Sequence, residues 1–449
     1  IRLALPMPDG GYTEFMVTES PVMEPGLSAK YPSIRTYAGQ GIQDPHARLR
    51  FDVTPIGFHA QVLSPNGDFL IDPLQKNDTD HYVSYFRRDY GPNTKQYRCD
   101  TEDSEISATT LDTAPSIAKL GTPNTVGTQL RSLRTAIVAT SSYTNLFGGT
   151  VAAGLSGVTT LVNRLNGVYE RDVALRFVLV ANNDLIVYTN SNVGPIGAIP
   201  TGPNPIIQTT IDNAIGFANY DIGHAVGGSG GGGAITPLGN VCTAQKSQGF
   251  TSFDTAIGDI FDIDFVSHEL GHQLGGSHTW NGCSDQQAGQ WTATSAMEPG
   301  SGTTIMAYAG ICSDNLQPNS DANLHARTFT QLVARLALDE TSTAPTCGSN
   351  TPTGNQTPNV TAAADLTIPE QTPFQLTVAA NDPDGDVLVY NWEELDTGTR
   401  GAPTATGDNG TAPLFRSFNP TTSPTRNFPS LPYILDNSNI PPATISLPP

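Results

Sequence analysis

Positively charged residues are scarce in this sequence. Lys and Arg number 22 against 42 Asp and Glu, the formal net charge is −20, and only 14% of all residues are charged. A surface that binds phosphate needs clustered Lys and Arg, and no such cluster occurs, so we expect no nucleic-acid partner. No window approaches the ~18 consecutive apolar residues that cross a bilayer, so we also expect no membrane-spanning helix.

Cysteine is sparse as well, and its five residues are Cys99, Cys242, Cys283, Cys312 and Cys347. Five are too few for a disulfide scaffold but suit one or two bridges in an oxidising compartment. Cys283 can pair with Cys312 and Cys242 with Cys347, but four cysteines allow three pairings, and these stay open. The odd count leaves at least one thiol without an intrachain partner.

Composition divides the chain into three domains and two linkers. With 44 Gly and 35 Pro, the sequence suits loop-rich domains with much strand. We expect a β-rich N-terminal module (1–106), a linker (107–127), a mixed α/β domain (128–347), a second linker (348–358) and a β-sandwich (359–449). The sequence opens with Ile1 rather than Met and stops without a closing strand pattern. We therefore expect a removed leader or a trimmed start, and a continuation beyond Pro449.

Apolar patterns predict the elements of the first two domains. Runs at 49–54, 57–63, 68–72 and 81–86 predict strands in the N-terminal module, with a hairpin at Pro65-Asn66-Gly67. In the second domain a strand (134–140), an amphipathic helix (151–169) and a strand (175–180) indicate a mostly parallel sheet, closed by a helix at 327–339.

Two further patterns were assigned by the same reasoning. We predict an edge strand at 222–226 and a flexible loop at the glycine run 227–233, which lacks the ending of a phosphate-binding loop. In the third domain the runs 374–380 and 387–392 alternate apolar and polar residues, which is typical of a sandwich of the cadherin or immunoglobulin kind.

One stretch carries the chemistry, and its spacing is H-E-x-x-H-x-x-G-x-x-H. His268 and His272 are four residues apart, so on a helix they share a face. Glu269 lies beside the first histidine. Gly275 can adopt the left-handed conformation that ends a helix, after which His278 returns to the same point.

This pattern is highly specific. It arises by chance with odds of roughly one in 10⁵ over the chain. A structural zinc site favours Cys ligands, whereas three imidazoles leave the open position that a catalytic zinc ion needs. We therefore expect Zn²⁺ on His268, His272 and His278, with Glu269 as the general base.

The motif resembles that of the metzincin metallopeptidases, which add a Met-turn downstream. Residues 303–308 are similar to that turn, with Met306 beneath the zinc ion. The overall pattern is most similar to the secreted bacterial reprolysin-like proteins, over residues 128–347. The resemblance implies a catalytic domain with a twisted, mostly parallel sheet, long helices and a zinc cleft. It also implies a secreted, monomeric zinc endopeptidase that acts on polypeptides.

Two residues depart from the reprolysin pattern. Thr279 follows the third histidine, where reprolysins typically have Asp. Tyr308 lies two residues after Met306, as in astacins and serralysins, where that Tyr can bind zinc or steady the transition state. A packing aromatic is the alternative for Tyr308.

The unpaired thiol suggests a latent form. The pair Arg98-Cys99 resembles the cysteine switch of matrix metallopeptidases, which implies a zymogen whose N-terminal propeptide inhibits it. A Cys99 thiolate can occupy the open zinc position, and Arg98 can lower the pKa of that thiol. Asp100 or Asp103 can serve through oxygen instead. A bystander thiol or an interchain disulfide also stays open.

Three acidic residues in the third domain are candidate calcium ligands. Asp382, Asp384 and Asp386 resemble the Asp-rich corners of cadherin-like sandwiches, but Val387 replaces the Gly that an EF-hand loop needs. A solvated turn is the alternative.

Two other functions were weighed against the endopeptidase. One is an adhesin or matrix-binding protein that works through the sandwich, and the other is a zinc amidase for small substrates. An edge strand beside an open, glycine-rich cleft favours an extended polypeptide.

Overall fold

A computed structural model describes most of the chain. The described residues are 1–76, 78–91, 97–102, 125–196, 205–283, 290–313, 315–338, 347–361, 363–369, 372–401 and 412–435. Most of the predicted linker at 107–127, the end of the predicted sandwich and the candidate ligand Asp103 lie outside them. Among the described residues, no helix has the length and apolar character needed to cross a membrane.

The N-terminal module is one antiparallel sheet whose seven strands follow chain order. Its strands are β1 (Arg2–Pro6), β2 (Tyr12–Glu19), β3 (Arg35–Gly41), β4 (Arg48–Thr54), β5 (Gly57–Leu63), β6 (Phe69–Pro73) and β7 (Tyr82–Phe86), with a short helix α1 (Pro25–Lys30). The four strands expected from apolar runs and their hairpin are confirmed. The first three strands were missed because they bury few apolar side chains: Leu5 in β1, and Phe15 and Val17 in β2, while the buried positions of β3 are Thr36 and Gly41.

The second domain is built on a mixed sheet with helices around it. Its strands are β8 (Gln129–Ala139), β9 (Leu175–Leu179), β10 (Ile222–Gly227), β11 (Gly231–Ile235), β12 (Gly249–Phe253) and β13 (Ser349–Pro352). The helices are α2 (Ser141–Leu146), α3 (Val151–Val173), α4 (Pro205–Ile215), α5 (His268–Gln273) and α6 (Ala326–Leu338). Strands β12, β10, β8 and β9 run parallel, as expected.

The edge of this sheet differs from the prediction. β10 is an interior strand, since it pairs with both β8 and β12. The edge is β11, which pairs antiparallel with β12 and includes three residues of the glycine run. The expectations of an edge at 222–226 and of a loop throughout 227–233 are therefore wrong. Glycine residues show no apolar periodicity, so the sequence does not indicate this strand. Only its pairing with β12 identifies it.

Helix α3 is buried on both sides. The side chain of Thr150 caps its first turn by accepting from the Ala153 N–H. One face packs on β8 and β9, and the N-terminal sheet covers the other through β4 and β5. Polar residues such as Asn163 and Arg164 are thus buried along with the apolar ones. The expected amphipathic helix is confirmed, but its polar face contacts the N-terminal module instead of solvent.

Buried arginines join the N-terminal sheet to the second domain. Arg50 pairs with Glu170. Arg164 of α3 bonds Asp72 of the N-terminal sheet at 2.5 Å and Asp262 at 3.0 Å. Because a buried charge without its partner is costly, these pairs hold the two parts in one relative position.

Two disulfides join distant segments of the second domain. They are Cys242–Cys347 and Cys283–Cys312, while Cys99 is a free, buried thiol. Both candidate pairings are confirmed.

The third domain departs from the expected sandwich in the residues described. β14 (Asn359–Thr361) pairs with β16 (Ala379–Asn381), and β15 (Phe374–Thr377) pairs with β17 (Thr425–Phe428), as two separate two-stranded sheets followed by α7 (Leu431–Leu435). The run 387–392 holds one isolated bridge, at Tyr390. A full sandwich is therefore not confirmed.

Replacing a buried arginine tests the interface between the first two domains. Arg87 contacts Asp259 and Asp264, both buried. Arg87→Met leaves these carboxylates without a cation, so we expect the free energy of unfolding to fall by about 3–5 kcal/mol. Arg88→Met is the matched control, because Arg88 is 65% exposed and pairs with Asp89 at 4.0 Å. We expect the control to change stability by at most about 0.5 kcal/mol in urea unfolding. Equal losses would contradict the role of the buried pairs.

Candidate active site

The zinc-motif helix is assembled as its spacing predicts. A π-helical stretch (Ile260–Ser267) leads into α5, which carries His268, Glu269 and His272. The chain then turns at Gly275, whose φ of +98° lies in the left-handed region that favours glycine. The turn returns His278 to the face of the first two histidines.

The three imidazoles meet at one point. The Nε2 atom of His272 lies 3.1 Å from Nε2 of His268 and 3.1 Å from Nε2 of His278. The Nδ1 atom of His268 lies 2.7 Å from the Ile305 carbonyl, and that of His272 lies 2.6 Å from the Gly276 carbonyl. Because each Nδ1–H donates to a carbonyl, the Nε2 lone pairs are free to face one another.

These residues fit a zinc ion. Burial lowers the pKa of His268 to about 3 and that of His272 well below its usual value, so both rings are neutral. Neutral imidazoles whose other nitrogen is held by a carbonyl are the donors that zinc takes. A cation between the three lone pairs would remove their mutual repulsion.

The Met-turn lies beneath this cluster. Met306 is fully buried, and its Sδ packs so closely on α5 that a Cβ at Gly271 would lie 2.3 Å from it. The Thr279 N–H donates to the Met306 carbonyl at 3.1 Å. The turn therefore supports the helix from below.

A buried carboxylate, Glu298, organises the turn. It accepts hydrogen bonds from the Thr279 hydroxyl at 2.6 Å, from the Thr303 N–H at 2.7 Å and from the Thr304 N–H at 3.1 Å. Thr279, at the position where reprolysins typically have Asp, thus donates to an acid from another loop. Glu298 was not predicted as a site residue, although it is the one acidic residue between Trp291 and Cys312.

Tyr308 stands beside the histidines. Its ring centroid lies 4.7 Å from that of His278, and it stacks on Trp280 at 5.2 Å. The side chain is buried. This position is compatible with either expectation, contact with the reacting group or packing.

Residues 97–102 of the N-terminal module fill the cleft. Cys99 forms a parallel bridge with Gly233 of the edge strand β11. The Gly233 N–H donates to the Arg98 carbonyl at 2.9 Å, and the Asp100 N–H donates to the Gly233 carbonyl at 2.8 Å. The expected glycine-rich cleft is present, but the chain's own segment lies along its edge strand.

This segment brings a thiol to the histidines. The Cys99 Sγ lies 3.7 Å from Nε2 of His272. Cys99 and the three histidines are the one group of three or more His, Cys, Asp or Glu residues, within the described ranges, whose ligand atoms lie within 4.8 Å of one another.

The same segment holds the expected general base. The Tyr97 hydroxyl donates to Oε1 of Glu269 at 2.9 Å, and the Thr101 hydroxyl donates to Oε2 at 3.2 Å. Burial raises the pKa of Glu269 to about 8. Tyr97 and Thr101 were missed, although the alternation of Tyr97, Cys99 and Thr101 in extended chain places all three on one side.

Two expectations about the neighbours of Cys99 are corrected. Among the described residues, Arg98 pairs with Asp100, two positions along the chain, and not with a carboxylate of the cleft. Burial, together with the nearby Glu269 carboxyl, raises the pKa of the Cys99 thiol well above its usual range, which is opposite to the lowering expected from Arg98. Asp100 does not belong to the ligand cluster, and Asp103 is outside the described residues.

The acidic residues Asp382 and Asp384 of the third domain accept hydrogen bonds from neighbouring protein groups. Asp382 Oδ1 accepts from the backbone N–H groups of Asp384 and Asp386 at 2.8 and 3.3 Å. Gln356 donates to both oxygens of Asp384. The two hydrogen bonds to Asp382 are those of a solvated turn, which was the alternative to a calcium site.

Comparisons with known proteins agree with this geometry. Residues 129–334 match the model of the reprolysin-like metallo-peptidase family M12B. These residues are therefore similar to a reprolysin-like metallopeptidase domain, and the resemblance seen in the sequence is confirmed. This similarity supports zinc-dependent hydrolysis of peptide bonds. No curated protein matches the chain.

Two solved structures show weak likeness. Metalloproteinase-II from Bacteroides fragilis is 9% identical over 74% of this chain and 90% of its own, with a TM-score of 0.37. A chaperone–substrate complex is 16% identical over 46% of this chain and 35% of its own, with a TM-score of 0.25. Both TM-scores are too low to support an argument.

Removing the charge of Glu298 tests its role under the zinc site. Glu298→Gln turns an amide N–H₂ toward the Thr donors, and each lost charge-assisted bond costs about 1.5–3 kcal/mol. We expect lower stability in urea and a lower zinc content by atomic emission. Glu19→Gln is the control, because Glu19 is 47% exposed and pairs with Arg35. Equal zinc content in both variants would contradict the assigned role.

Proposed function

We propose that this protein is a secreted zinc endopeptidase that its own N-terminal module holds latent. One observation carries the proposal: residues 97–102 lie along the edge strand with Cys99 among the zinc-binding histidines and with Glu269 held by two hydroxyls. A segment in this position excludes an extended substrate from β11. The two disulfides support an oxidising, extracellular setting.

Glu269 is the general base of the proposed reaction. When bound, a zinc ion supplies a Lewis acid that polarises the substrate carbonyl and acidifies water. Glu269 takes the proton of the attacking water and returns it to the leaving nitrogen. Tyr308, whose ring lies beside those of His268 and His278, is proposed to donate its hydroxyl to the oxygen on which negative charge develops.

The N-terminal module acts as an intramolecular inhibitor in this proposal. Cys99 is the latency ligand, supported by the position of its Sγ beside His272. Tyr97 and Thr101 add a second block, because a carboxyl that accepts two hydrogen bonds is not available to water. Cleavage within residues 107–127 would separate the module from the catalytic domain.

The remaining expectations stay predictions. They are the domain boundaries, the monomeric state and calcium at Asp382, Asp384 and Asp386. The turn contacts of these three residues favour the solvated alternative.

Glu269→Ala tests the proposed reaction. The general base is lost while all three imidazoles stay, so we expect casein hydrolysis to fall by about 10²–10⁴ or more. The full chain, treated with an organomercurial to release the thiol, is assayed with and without 1,10-phenanthroline, and zinc is measured by atomic emission. A zinc-replete variant that keeps more than about a tenth of the activity contradicts the role. If the parent protein hydrolyses small amides but not casein, an amidase is favoured. If the parent protein hydrolyses neither, a binding protein is favoured.

Cys99→Ala tests latency. In the full chain we expect this variant to cleave casein after a shorter lag than the parent, because no thiol competes for the open metal position, although Tyr97 and Thr101 still hold Glu269. The parent should lag until the organomercurial is added. Arg98→Ala is the matched control, since Arg98 is exposed and pairs only with its neighbour in the described contacts. Identical lags in parent, Cys99→Ala and Arg98→Ala would exclude Cys99 as the latency ligand.

A further inference from the structure

The side chain of Tyr97 occupies an aromatic pocket beside the zinc site. Its ring stacks on Phe265 with centroids 3.8 Å apart and planes 3° apart, and it meets Phe253 edge-on at 6.3 Å. Phe253 and Phe265 also pack on each other at 5.0 Å. Phe265 lies one turn before His268 on the zinc-motif helix, and Phe253 ends strand β12. The pocket thus belongs to the catalytic domain, whereas its occupant belongs to the N-terminal module.

The wall of this pocket toward the edge strand has no side chain. A Cβ at Gly233 would lie 2.2 Å from the Tyr97 hydroxyl oxygen and 2.3 Å from Oε1 of Glu269. Any larger residue there would fill the space between β11 and the catalytic carboxyl. Glycine at this position therefore leaves room for a ring beside Glu269.

On the side of the segment, Tyr97 packs over both of these rings. With Tyr97 in place, Phe253 is 3% exposed and Phe265 is 2% exposed. Departure of residues 97–102 would open this side of two large aromatic side chains to water. Such surface gains most from another flat apolar side chain, because aromatic pairs contribute about 0.5–1.5 kcal/mol beyond area burial.

We propose that this pocket selects an aromatic side chain at the substrate residue immediately after the cleaved bond. This inference rests on the proposed function and names its substrate class. The register follows from Glu269, which returns its proton to the leaving nitrogen. The residue that carries this nitrogen lies on the Glu269 side of the histidines, where the pocket opens.

The Tyr97 hydroxyl explains why its own segment inhibits. That hydroxyl bonds Glu269 at 2.9 Å and so occupies the base. A phenylalanine ring fills the same space without a hydroxyl and leaves the carboxyl accessible to water. We therefore expect Phe to be preferred to Tyr, and both to small or acidic residues.

Peptides that differ only in the residue after the cleaved bond test the pocket. The full chain, released with an organomercurial, is incubated with matched peptides carrying Phe, Tyr, Leu, Ala or Asp there, and mass spectrometry locates each cut. We expect kcat/KM for Phe to exceed that for Ala or Asp by about 10–200-fold, the range of an apolar pocket. Equal rates, or cuts that do not precede an aromatic residue, overturn the inference while leaving the endopeptidase function intact. Absence of any cleavage overturns the proposed function and this inference together.

Variants of the pocket residues test whether the pocket itself causes the preference for Phe after the cleaved bond. Phe265→Leu and Phe253→Leu remove one ring each, and we expect either to reduce the Phe-to-Leu ratio of kcat/KM by about tenfold. Phe217→Leu is the control, because Phe217 is 47% exposed on another face. An unchanged ratio in a pocket variant with the parent's melting temperature overturns the assignment. If one pocket variant does not fold, the other and the peptide series decide.

Discussion

Three buried imidazole nitrogens must point at the same place, and much of the catalytic domain follows from that constraint. The zinc-motif helix supplies two of them and has to end at Gly275 so that His278 can return. The Ile305 carbonyl fixes His268, so the Met-turn must run directly beneath the helix. Glu298 in turn holds that loop by its backbone N–H groups. Four separate segments are thus positioned around one point that a cation would occupy.

Three of the few positively charged side chains of this protein lie at the interface between the N-terminal sheet and the catalytic domain. Of only 22 Lys and Arg residues, Arg50, Arg87 and Arg164 are buried between the N-terminal sheet and the catalytic domain. Each contacts an acidic residue from the opposite part. Buried ion pairs contribute little net stability. They disfavour any other relative position of the two parts, however, because a shifted position would leave buried charges without partners. The same interface sets the path along which residues 97–102 enter the cleft.

The parts of the site that were predictable are those encoded by local spacing. The three histidines, Glu269 and Gly275 lie within eleven residues, and their geometry follows from one helix and one turn. The edge strand was not predictable in this way, because glycines show no apolar period and their pairing depends on β12. Likewise Tyr97 and Glu269 are 172 residues apart, and only the tertiary structure brings them together. In the third domain, alternation at 387–392 predicted a strand, but within the described part of that domain this run forms only one isolated bridge, at Tyr390.

Residues 97–102 are joined covalently to the domain whose edge strand they cover. Their occupancy of the cleft therefore does not fall when the protein is diluted. As long as the chain between residues 102 and 125 is intact, leaving and rebinding are unimolecular, and the effective concentration of the segment is independent of protein concentration. One break in that connection makes rebinding bimolecular. The same contacts that persist indefinitely in a dilute solution of the intact chain then compete against free diffusion, so a single hydrolysed bond changes occupancy without altering any contact.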